Sequence, residues 1–238
     1  MSNSRLTSII RTSEAAAAVL ATCILLAGCA SAPATAPARP TTSADLILVP
    51  TIARRGDTFD DREQIAALDK KGDWAGLLHF ALERQKRAPD DPDWLVVTGY
   101  AWLRQGEYEN AITSLSRVTS VSPEDVGAWI LLGEAQRSAK QPGQAARTLE
   151  RASAIGRTSF AVFFVLGNAY RDSQRLDRAI GAYREAARIE PDFAPTWYEL
   201  GIAHARLNEE QAARQALAHL ETLDSRLAAE LAAKIQSH

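Results

Sequence analysis

The sequence predicts an all-α fold in which about five helix–turn–helix units stack into a solenoid, closed by one more helix at the C-terminal end. The main observation is a period of 34 residues, a spacing typical of helical arrays. The repeated blocks begin at Thr58, Pro92, Val126, Phe160 and Ala194. Composition agrees with a folded domain, because 46% of the 238 residues are hydrophobic and 24% are charged.

Charge and cysteine content narrow the class of protein further. A formal net charge of −2 leaves no basic excess for neutralising phosphates, so we expect no nucleic-acid partner. Cys23 and Cys29, the two cysteines of the chain, both lie in the first 30 residues. No disulfide framework or cysteine-rich zinc site can therefore hold the body together, and the fold depends on its apolar core.

Residues 1–28 have the organisation of a secretory signal peptide. Arg5 and Arg11 precede an apolar run over residues 15–26, and small residues follow it. The run is about a dozen residues long, whereas a membrane-spanning helix needs about 20. This length favours a cleaved signal peptide, and a short uncleaved anchor is the alternative.

The end of this segment, Leu26-Ala27-Gly28-Cys29, resembles the lipobox of bacterial lipoproteins at all four positions. The resemblance implies cleavage before Cys29 and attachment of acyl chains such as palmitate to that cysteine. Several acyl chains anchor a protein durably to a bilayer. Ala30 follows instead of an aspartate, which by resemblance to enterobacterial lipoproteins favours the periplasmic face of the outer membrane.

Residues 29–57 are predicted to contain the lipidated cysteine and a flexible linker. Residues 31–43 are small, proline-spaced and nearly uncharged, a composition that does not bury enough surface to fold. Residues 46–52 are apolar at six of seven positions. Two interpretations of this stretch remain open: it docks as a short strand or hook on the domain or on a partner, or it merely packs against the first helix.

Equivalent positions of the blocks carry the residue types of closely packed helix pairs. The eighth position reads Ile65, Gly99, Gly133, Gly167 and Gly201. A glycine inside a helix costs up to about 1 kcal/mol relative to alanine, so its recurrence predicts two helices too close for a Cβ. Positions 20, 24 and 27 form a mostly apolar stripe on the second helix, and Pro89, Pro123 and Pro191 mark the block ends.

This pattern resembles the tetratricopeptide repeat (TPR), whose signature includes a large residue at position 4, Leu-Gly at 7 and 8, Tyr at 11, Ala at 20 and Pro at 32. Residues 163–170 and 197–201 match it closely. The turn at residues 140–143 departs from it, because the family prefers a glycine followed by an aromatic residue. The implied repeats lie near residues 58–91, 92–125, 126–159, 160–193 and 194–223. The first block is the most degenerate, which suits a solvent-facing cap.

A final helix is predicted over residues 224–238. Asp224 and Ser225 can cap it, and Leu227, Leu231 and Ile235 recur every four residues. This helix closes the last repeat, so the domain is expected to span residues 58–238.

The sequence carries no catalytic or metal-binding motif. His79, His204, His219 and His238 occupy unrelated repeat positions, and no phosphate-binding loop, nucleophile elbow or HExxH motif is present. We expect a protein without enzymatic activity, metal or cofactor. His204 takes the position usually held by tyrosine, which indicates a packed or hydrogen-bonded core histidine.

The resemblance implies a protein-binding groove lined by the first helices, with positions 5, 9, 12 and 13 facing it. The groove residues carried over are Tyr100, Arg104, Ile130, Glu134, Arg137, Phe164, Asn168, Arg171, Tyr198, Ile202 and Arg206. Phe163 and Phe164 differ by ~100° around a helix, so we expect one in the core and Phe164 in the groove. Only Asn168, Arg137 and Arg171 approach a chaperone-type carboxylate clamp, so binding of a C-terminal carboxylate is not predicted.

Together, the two resemblances imply a protein-binding adaptor on the periplasmic side of the bacterial outer membrane. The layout is similar to that of pilotin-type and tight-adherence pilus lipoproteins, which favours a scaffold in pilus or secretion-system assembly. The alternative is an adaptor that recruits peptidoglycan hydrolases or other envelope enzymes. The expected partners are periplasmic or outer-membrane proteins, together with the membrane itself through the lipid anchor.

Overall fold

The computed structural model describes residue 52 and residues 54–236, all within one compact unit of the chain. The predicted signal peptide, Cys29 and the linker up to residue 51 lie outside the described residues. The described part contains eleven α-helices and no strand. The helices are α1 Phe59–Lys71, α2 Trp74–Gln85, α3 Pro92–Gln105, α4 Tyr108–Val121, α5 Val126–Ser138, α6 Pro142–Ile155, α7 Phe160–Asp172, α8 Leu176–Ile189, α9 Ala194–Arg206, α10 Glu210–Leu223 and α11 Ser225–Gln236.

The helices form five pairs followed by α11. We call the first helix of each pair its A helix (α1, α3, α5, α7, α9) and the second its B helix (α2, α4, α6, α8, α10). Each predicted 34-residue block contains one pair, and consecutive helices pack on one another. The prediction of an all-α solenoid with a C-terminal capping helix is confirmed. Among these helices, none combines the length and apolar character needed to span a bilayer.

Local sequence signals explain where the A helices begin. Thr58 and Asp61 form a capping box at α1, in which each side chain accepts a hydrogen bond from the other residue's backbone N–H. Pro92 opens α3, where its fixed φ suits the helix and its missing N–H costs nothing. The Asp125 side chain accepts from the Ala128 N–H and so caps α5.

The turn inside each repeat requires one residue in the left-handed conformation. Gly72 and Gly106 supply it in the first two repeats, with φ of 69° and 84°. The next three repeats place Lys140, Gln174 and Asn208 there, with φ of 63°, 62° and 59°. Side chains with a Cβ are strained in this conformation, asparagine least of them. The turn at residues 140–143 therefore keeps the geometry of its neighbours at the expense of strain at Lys140.

The recurring glycines lie where the two helices of a repeat meet. A Cβ built on Gly133 would lie 2.6 Å from Leu149 Cγ, and one built on Gly167 would lie 2.4 Å from Tyr183 Cε1. These distances confirm the predicted close approach. At Gly201 the obstructing side chain is Leu231 of α11, at 2.5 Å, so the capping helix takes over this contact at the end of the array.

The apolar stripe of the B helices forms the core. Positions 20, 24 and 27 are fully buried in α4, α6 and α8, as their pattern predicts. One continuous cluster runs from residue 52 to residue 203, and a smaller cluster of Leu220, Ala228 and Leu231 seals the C-terminal end. At α11, the Asp224 carboxylate accepts hydrogen bonds from the backbone N–H groups of Arg226 and Leu227, which confirms the predicted cap.

The folded unit begins before Thr58, earlier than the sequence predicts. Arg55 donates from Nη1 to Asp93 and from Nη2 to Asp125, each at 2.8 Å, and so joins the starts of α3 and α5. The indole N–H of Trp94 donates to Asp57 at 3.2 Å. Residues 54–57, which we assigned to the flexible linker, are therefore part of the domain.

Ile52 also belongs to the domain, because it is almost fully buried in the hydrophobic core. The other residues of the apolar stretch, 46–51, lie outside the described part of the chain. The structure thus supports packing of the end of this stretch on the domain. The choice between the two interpretations for residues 46–51 stays open.

Candidate functional site

The predicted groove residues divide into exposed and buried sets. Arg206 is exposed, and Arg104, Arg137, Arg171, Tyr198 and Ile202 are partly exposed. The buried residues are Tyr100, Ile130, Glu134, Phe164 and Asn168. Only the first set presents side chains that a partner can contact without rearrangement of the core.

Phe164 is a clear departure from the prediction. Its ring is fully buried, with its centroid 6.0 Å from the ring of Tyr183 and 5.4 Å from that of Phe193. Phe163 is the less buried of the adjacent pair. The expectation that Phe164 presents its ring in the groove is therefore wrong, because the rings of Tyr183 on α8 and of Phe193, the N-cap residue of α9, pack against it.

Buried polar residues of the predicted set are satisfied within the protein. Tyr183 donates its hydroxyl to the Asn168 side chain at 2.9 Å. Burial, together with the charge of Glu199, raises the Tyr183 pKa well above its ordinary value, so this hydroxyl keeps its proton. Tyr100 donates to Asp69 at 2.6 Å. The hydrogen bonds of Asn168 and Tyr100 thus hold neighbouring helices together, and these helices carry the exposed residues.

Consecutive A helices are connected by a row of alternating charges, which we call the A-helix charge row: Glu134, Arg137, Asp172, Arg171 and Glu199. Arg137 pairs with Glu134 at 2.6 Å in its own helix and with Asp172 of α7 at 2.8 Å. Arg171 pairs with Asp172 at 3.0 Å and with Glu199 of α9 at 2.5 Å. The two arginine side chains are 24% and 21% exposed, so the row is open to solvent along one edge.

The pKa values in the row follow from its geometry. Burial lowers the pKa of Arg137, but the hydrogen bonds and charges of Glu134 and Asp172 outweigh burial and raise it. Burial raises the pKa of Asp172, and the two arginines outweigh burial and lower it below 3.8. Arg137 and Asp172 are therefore charged at neutral pH. Both arginines of the row already have carboxylate partners within the protein, so a ligand carboxylate would have to compete with them.

The exposed surface of the A helices, which we call the A-helix face, also has the charge row's neighbours Arg104, Tyr198, Ile202 and Arg206 at its two ends. At the N-terminal end, Arg104 lies over the ring of Trp74 at 4.3 Å from its centroid, a cation–π contact. At the C-terminal end, Tyr198 donates its hydroxyl to Glu230 of α11 at 2.6 Å, and Arg206 donates to Gln174 at 2.9 Å. Ile202 packs against the small C-terminal cluster.

Sequence reasoning missed Trp74, Glu199 and Glu230 as members of this face. Trp74 is the first residue of a B helix, so a rule based on A-helix positions excludes it. Glu199 lies at position 6 and Glu230 on the capping helix, again outside the family's groove positions. The signal available in the sequence was charge complementarity between successive A helices, as in Arg171 and Glu199, which are 28 residues apart.

His204 has the structural role that its position predicts. It is 3% exposed, and its Nδ1 lies 2.5 Å from a Glu209 carboxylate oxygen. This confirms the expectation of a hydrogen-bonded core histidine. Within the described residues, no group of three or more metal-ligating side chains converges.

Taken together, the helix pairs, the glycine contacts and the continuous A-helix face define an α-solenoid of the kind that binds other proteins. Family models described as TPR repeat or tetratricopeptide repeat match residues 75–119, 103–162 and 167–208, which together make up more than half of the chain. The chain belongs to the tetratricopeptide-repeat family, whose members act in protein–protein interaction and are typically non-enzymatic scaffolds. No curated protein matches the sequence.

Solved structures share this fold. MamA from Desulfovibrio magneticus RS-1 has 22% identity and a TM-score of 0.62, over 70% of this chain and 94% of that one. A thermophilic TPR protein of Thermus thermophilus, TTC0263, has 17% identity and a TM-score of 0.60, over 74% and 98%. YrrB, described as a TPR protein with an unusual peptide-binding site, has 16% identity and a TM-score of 0.58, over 80% and 98%. At these identities the similarity shows the fold alone.

Proposed function

We propose that this protein is a lipid-anchored adaptor of the bacterial outer membrane that binds a partner of an envelope assembly through its A-helix face. The observation that carries the proposal is the A-helix charge row, which continues across three repeats and is open along one edge. Fixed charges arranged in this way select a partner of complementary charge pattern and orient it on the solenoid. Peptide binding by YrrB, a protein of the same fold, supports this use of the repeats.

The anchoring half of the proposal depends on the lipobox ending at Cys29. Its test compares the wild-type chain with Cys29→Ala after expression in a bacterium fed a labelled fatty acid. We expect label and membrane fractionation for the wild type, and neither for the variant. Cys23→Ala is the matched control, because Cys23 lies within the predicted signal peptide and is removed with it. Membrane fractionation of unlabelled Cys29→Ala would contradict the lipid anchor.

The partner half is tested by photocrosslinking in cells. Because Phe164 is buried, the crosslinking amino acid belongs at Arg206, which is exposed at the end of the A-helix face. Arg147, exposed on the B helix α6, provides the control position. We expect a crosslink from position 206 and none from position 147, with the partner identified by mass spectrometry.

The identity of the crosslinked protein decides between the proposed assemblies. A pilus or secretion-system component supports the leading proposal. A peptidoglycan hydrolase would replace it with the alternative adaptor function. Equal crosslinking from both positions, or crosslinking from position 147 alone, would show that the A-helix face is not the binding face.

A further inference from the structure

A cleft of about 540 Å³ opens between two B helices, α8 and α10. Its lining includes Arg184 and Arg188 of α8, Gln215 and His219 of α10, and Trp197 of α9. No residue of the A-helix charge row lines it. This α8/α10 cleft is therefore a surface feature separate from the proposed partner-binding face.

The equivalent space one repeat earlier, between the B helices α6 and α8, is bridged by a carboxylate of the protein itself. There Glu150 accepts a hydrogen bond from the Tyr170 hydroxyl at 2.6 Å. Arg178 of α8 lies 3.6 Å from the same carboxylate oxygen. One acidic side chain thus connects two B helices and the A helix beneath them.

One repeat further along, all three members of this bridge are replaced. The equivalent residues are Arg184 for Glu150, Ala212 for Arg178 and His204 for Tyr170. The carboxylate position is now occupied by a guanidinium, and the short alanine leaves open the space that the arginine fills in the earlier junction. All three replacement residues line the α8/α10 cleft.

Of the two arginines that line the cleft, one has a carboxylate partner among the described residues and the other has none. Arg188 pairs with Glu185 at 2.9 Å, and His204 contacts Glu209 at 2.5 Å. Arg184, in contrast, has no ion pair or side-chain hydrogen bond within the part of the chain that the structure describes. Its guanidinium is exposed and faces solvent in a concave site.

Much of the remaining lining is aromatic or apolar. The ring of Trp197 lies beside that of His219, with centroids 4.0 Å apart, and its indole N–H is held by the Pro191 carbonyl at 2.7 Å. Leu200, Ala212 and Ala216 complete the apolar part. A fixed aromatic surface next to an uncompensated arginine is the composition found in binding hot spots.

We infer that the α8/α10 cleft is a second binding site, for a peptide segment of a partner protein that carries an acidic side chain beside an apolar one. The carboxylate of the peptide pairs with Arg184, the residue that stands where the preceding repeat has Glu150. The apolar side chain packs on Trp197 and the small residues of α10. Arg184 has no carboxylate partner among the described residues of the protein. Charge complementarity therefore selects an acidic peptide over a neutral or basic one.

The inference is tested with two blocked pentapeptides that differ at one position, a glutamate in one and a glutamine in the other, each next to a phenylalanine. The full chain, kept in solution by a mild non-ionic detergent, is titrated with each peptide while the indole N–H resonance of Trp197 is followed by NMR and assigned with Trp197→Phe. We expect the glutamate peptide to shift this resonance and the glutamine peptide to bind about fivefold more weakly or worse.

Variants connect the binding to the cleft. Arg184→Gln is expected to weaken binding of the glutamate peptide about fivefold or more and to abolish the preference for glutamate. Arg147→Gln, which removes an exposed arginine from α6, should leave the dissociation constant unchanged. The double variant Arg184→Glu with Ala212→Arg restores the acidic and basic members of the bridge between α6 and α8, and should remove binding while circular dichroism shows an intact fold.

Equal affinity for the two peptides, or unchanged binding by Arg184→Gln, would overturn the inference. So would shifts confined to A-helix residues with the Trp197 resonance unmoved. These outcomes are independent of the crosslinking from position 206, so the cleft and the A-helix face can fail separately.

Discussion

Gly167 on α7 faces the ring of Tyr183, whose hydroxyl is hydrogen-bonded to Asn168 and whose side chain is fully buried. A methyl group at Gly167 would lie 2.4 Å from the ring, which is buried and held by its hydrogen bond. We expect Gly167→Ala to lower the free energy of unfolding by about 2–3 kcal/mol, measured by urea denaturation.

The matched control is Gly181→Ala on the neighbouring helix α8. A Cβ there meets nothing within 4 Å, and alanine is the better helix former. The expected change is a stabilisation of up to about 1 kcal/mol. A similar stabilisation by both substitutions would show that the close approach of α7 and α8 does not require glycine at position 167.

Asp172 makes the stability depend on pH. Burial raises its pKa, but the hydrogen bond from Arg137 and the charge of Arg171 outweigh burial and lower it below 3.8. A carboxyl group whose pKa is lower in the folded state stabilises the fold at pH values above its unfolded pKa. This contribution is lost as the pH falls from near 4 through the folded pKa.

Asp172→Asn should therefore flatten the dependence of unfolding free energy on pH below about 4 and lower stability at pH 7 by about 1 kcal/mol. Urea denaturation at a series of pH values measures both effects. Asp192→Asn, at an exposed aspartate of the α8–α9 turn, is the control and should leave the profile as in the wild type. An unchanged profile for Asp172→Asn would contradict the role of the A-helix charge row in stability.

The turn between α5 and α6 carries a conformational cost that the turns of the first two repeats avoid. Lys140 adopts a φ of 63°, whereas the first two repeats use glycine at the same position. Lys140→Gly removes the steric strain and adds some conformational entropy to the unfolded chain, for a net stabilisation of about 0.5–1 kcal/mol. Thermal unfolding measures the gain as a higher Tm.

Lys140→Ala separates backbone strain from loss of the lysine side chain, because alanine is as strained as lysine at positive φ. The alanine variant is expected to match the wild type within about 0.5 kcal/mol. If it gained as much as the glycine variant, the lysine side chain and not the backbone would be the source of the cost.

Sequence periodicity predicted those elements whose packing repeats. The helix pairs, the glycine contacts and the buried stripe of α4, α6 and α8 recur every 34 residues, so one pattern determines them all. Contacts made between different repeats are less regular. The burial of Phe164 depends on Phe193, which caps helix α9 of the following repeat, and the neighbour of Gly201 is Leu231 of α11. Rules for a single repeat do not contain either contact.

The candidate site was only partly predictable for the same reason. Arg171 and Tyr198 lie on the face that the repeat positions imply, but their partners Glu199 and Glu230 lie at other positions. Each such pair depends on the side chain that the neighbouring helix happens to present.

The whole molecule is closed at its two ends by segments that are not repeats. At the N-terminal end, Arg55 connects Asp93 and Asp125, and Ile52 fills the core. At the C-terminal end, α11 covers α9 and α10. In an array held by nearest-neighbour contacts, such caps determine where unfolding starts.

The C-terminal cap provides the sharpest test of this behaviour. Leu231 is fully buried, contacts Gly201 and belongs to a cluster that is much smaller than the main core. Leu231→Ala should cost about 3 kcal/mol, because the cavity opens against the backbone of α9. Hydrogen exchange followed by mass spectrometry should show faster exchange in α9, α10 and α11, with little change in α3 to α6.

Leu227→Ala, which truncates a half-buried leucine of the same helix, should have a smaller effect in the same place. Uniformly faster exchange along the chain would instead mean that the array unfolds as one cooperative unit, so that its ends have no independent stability.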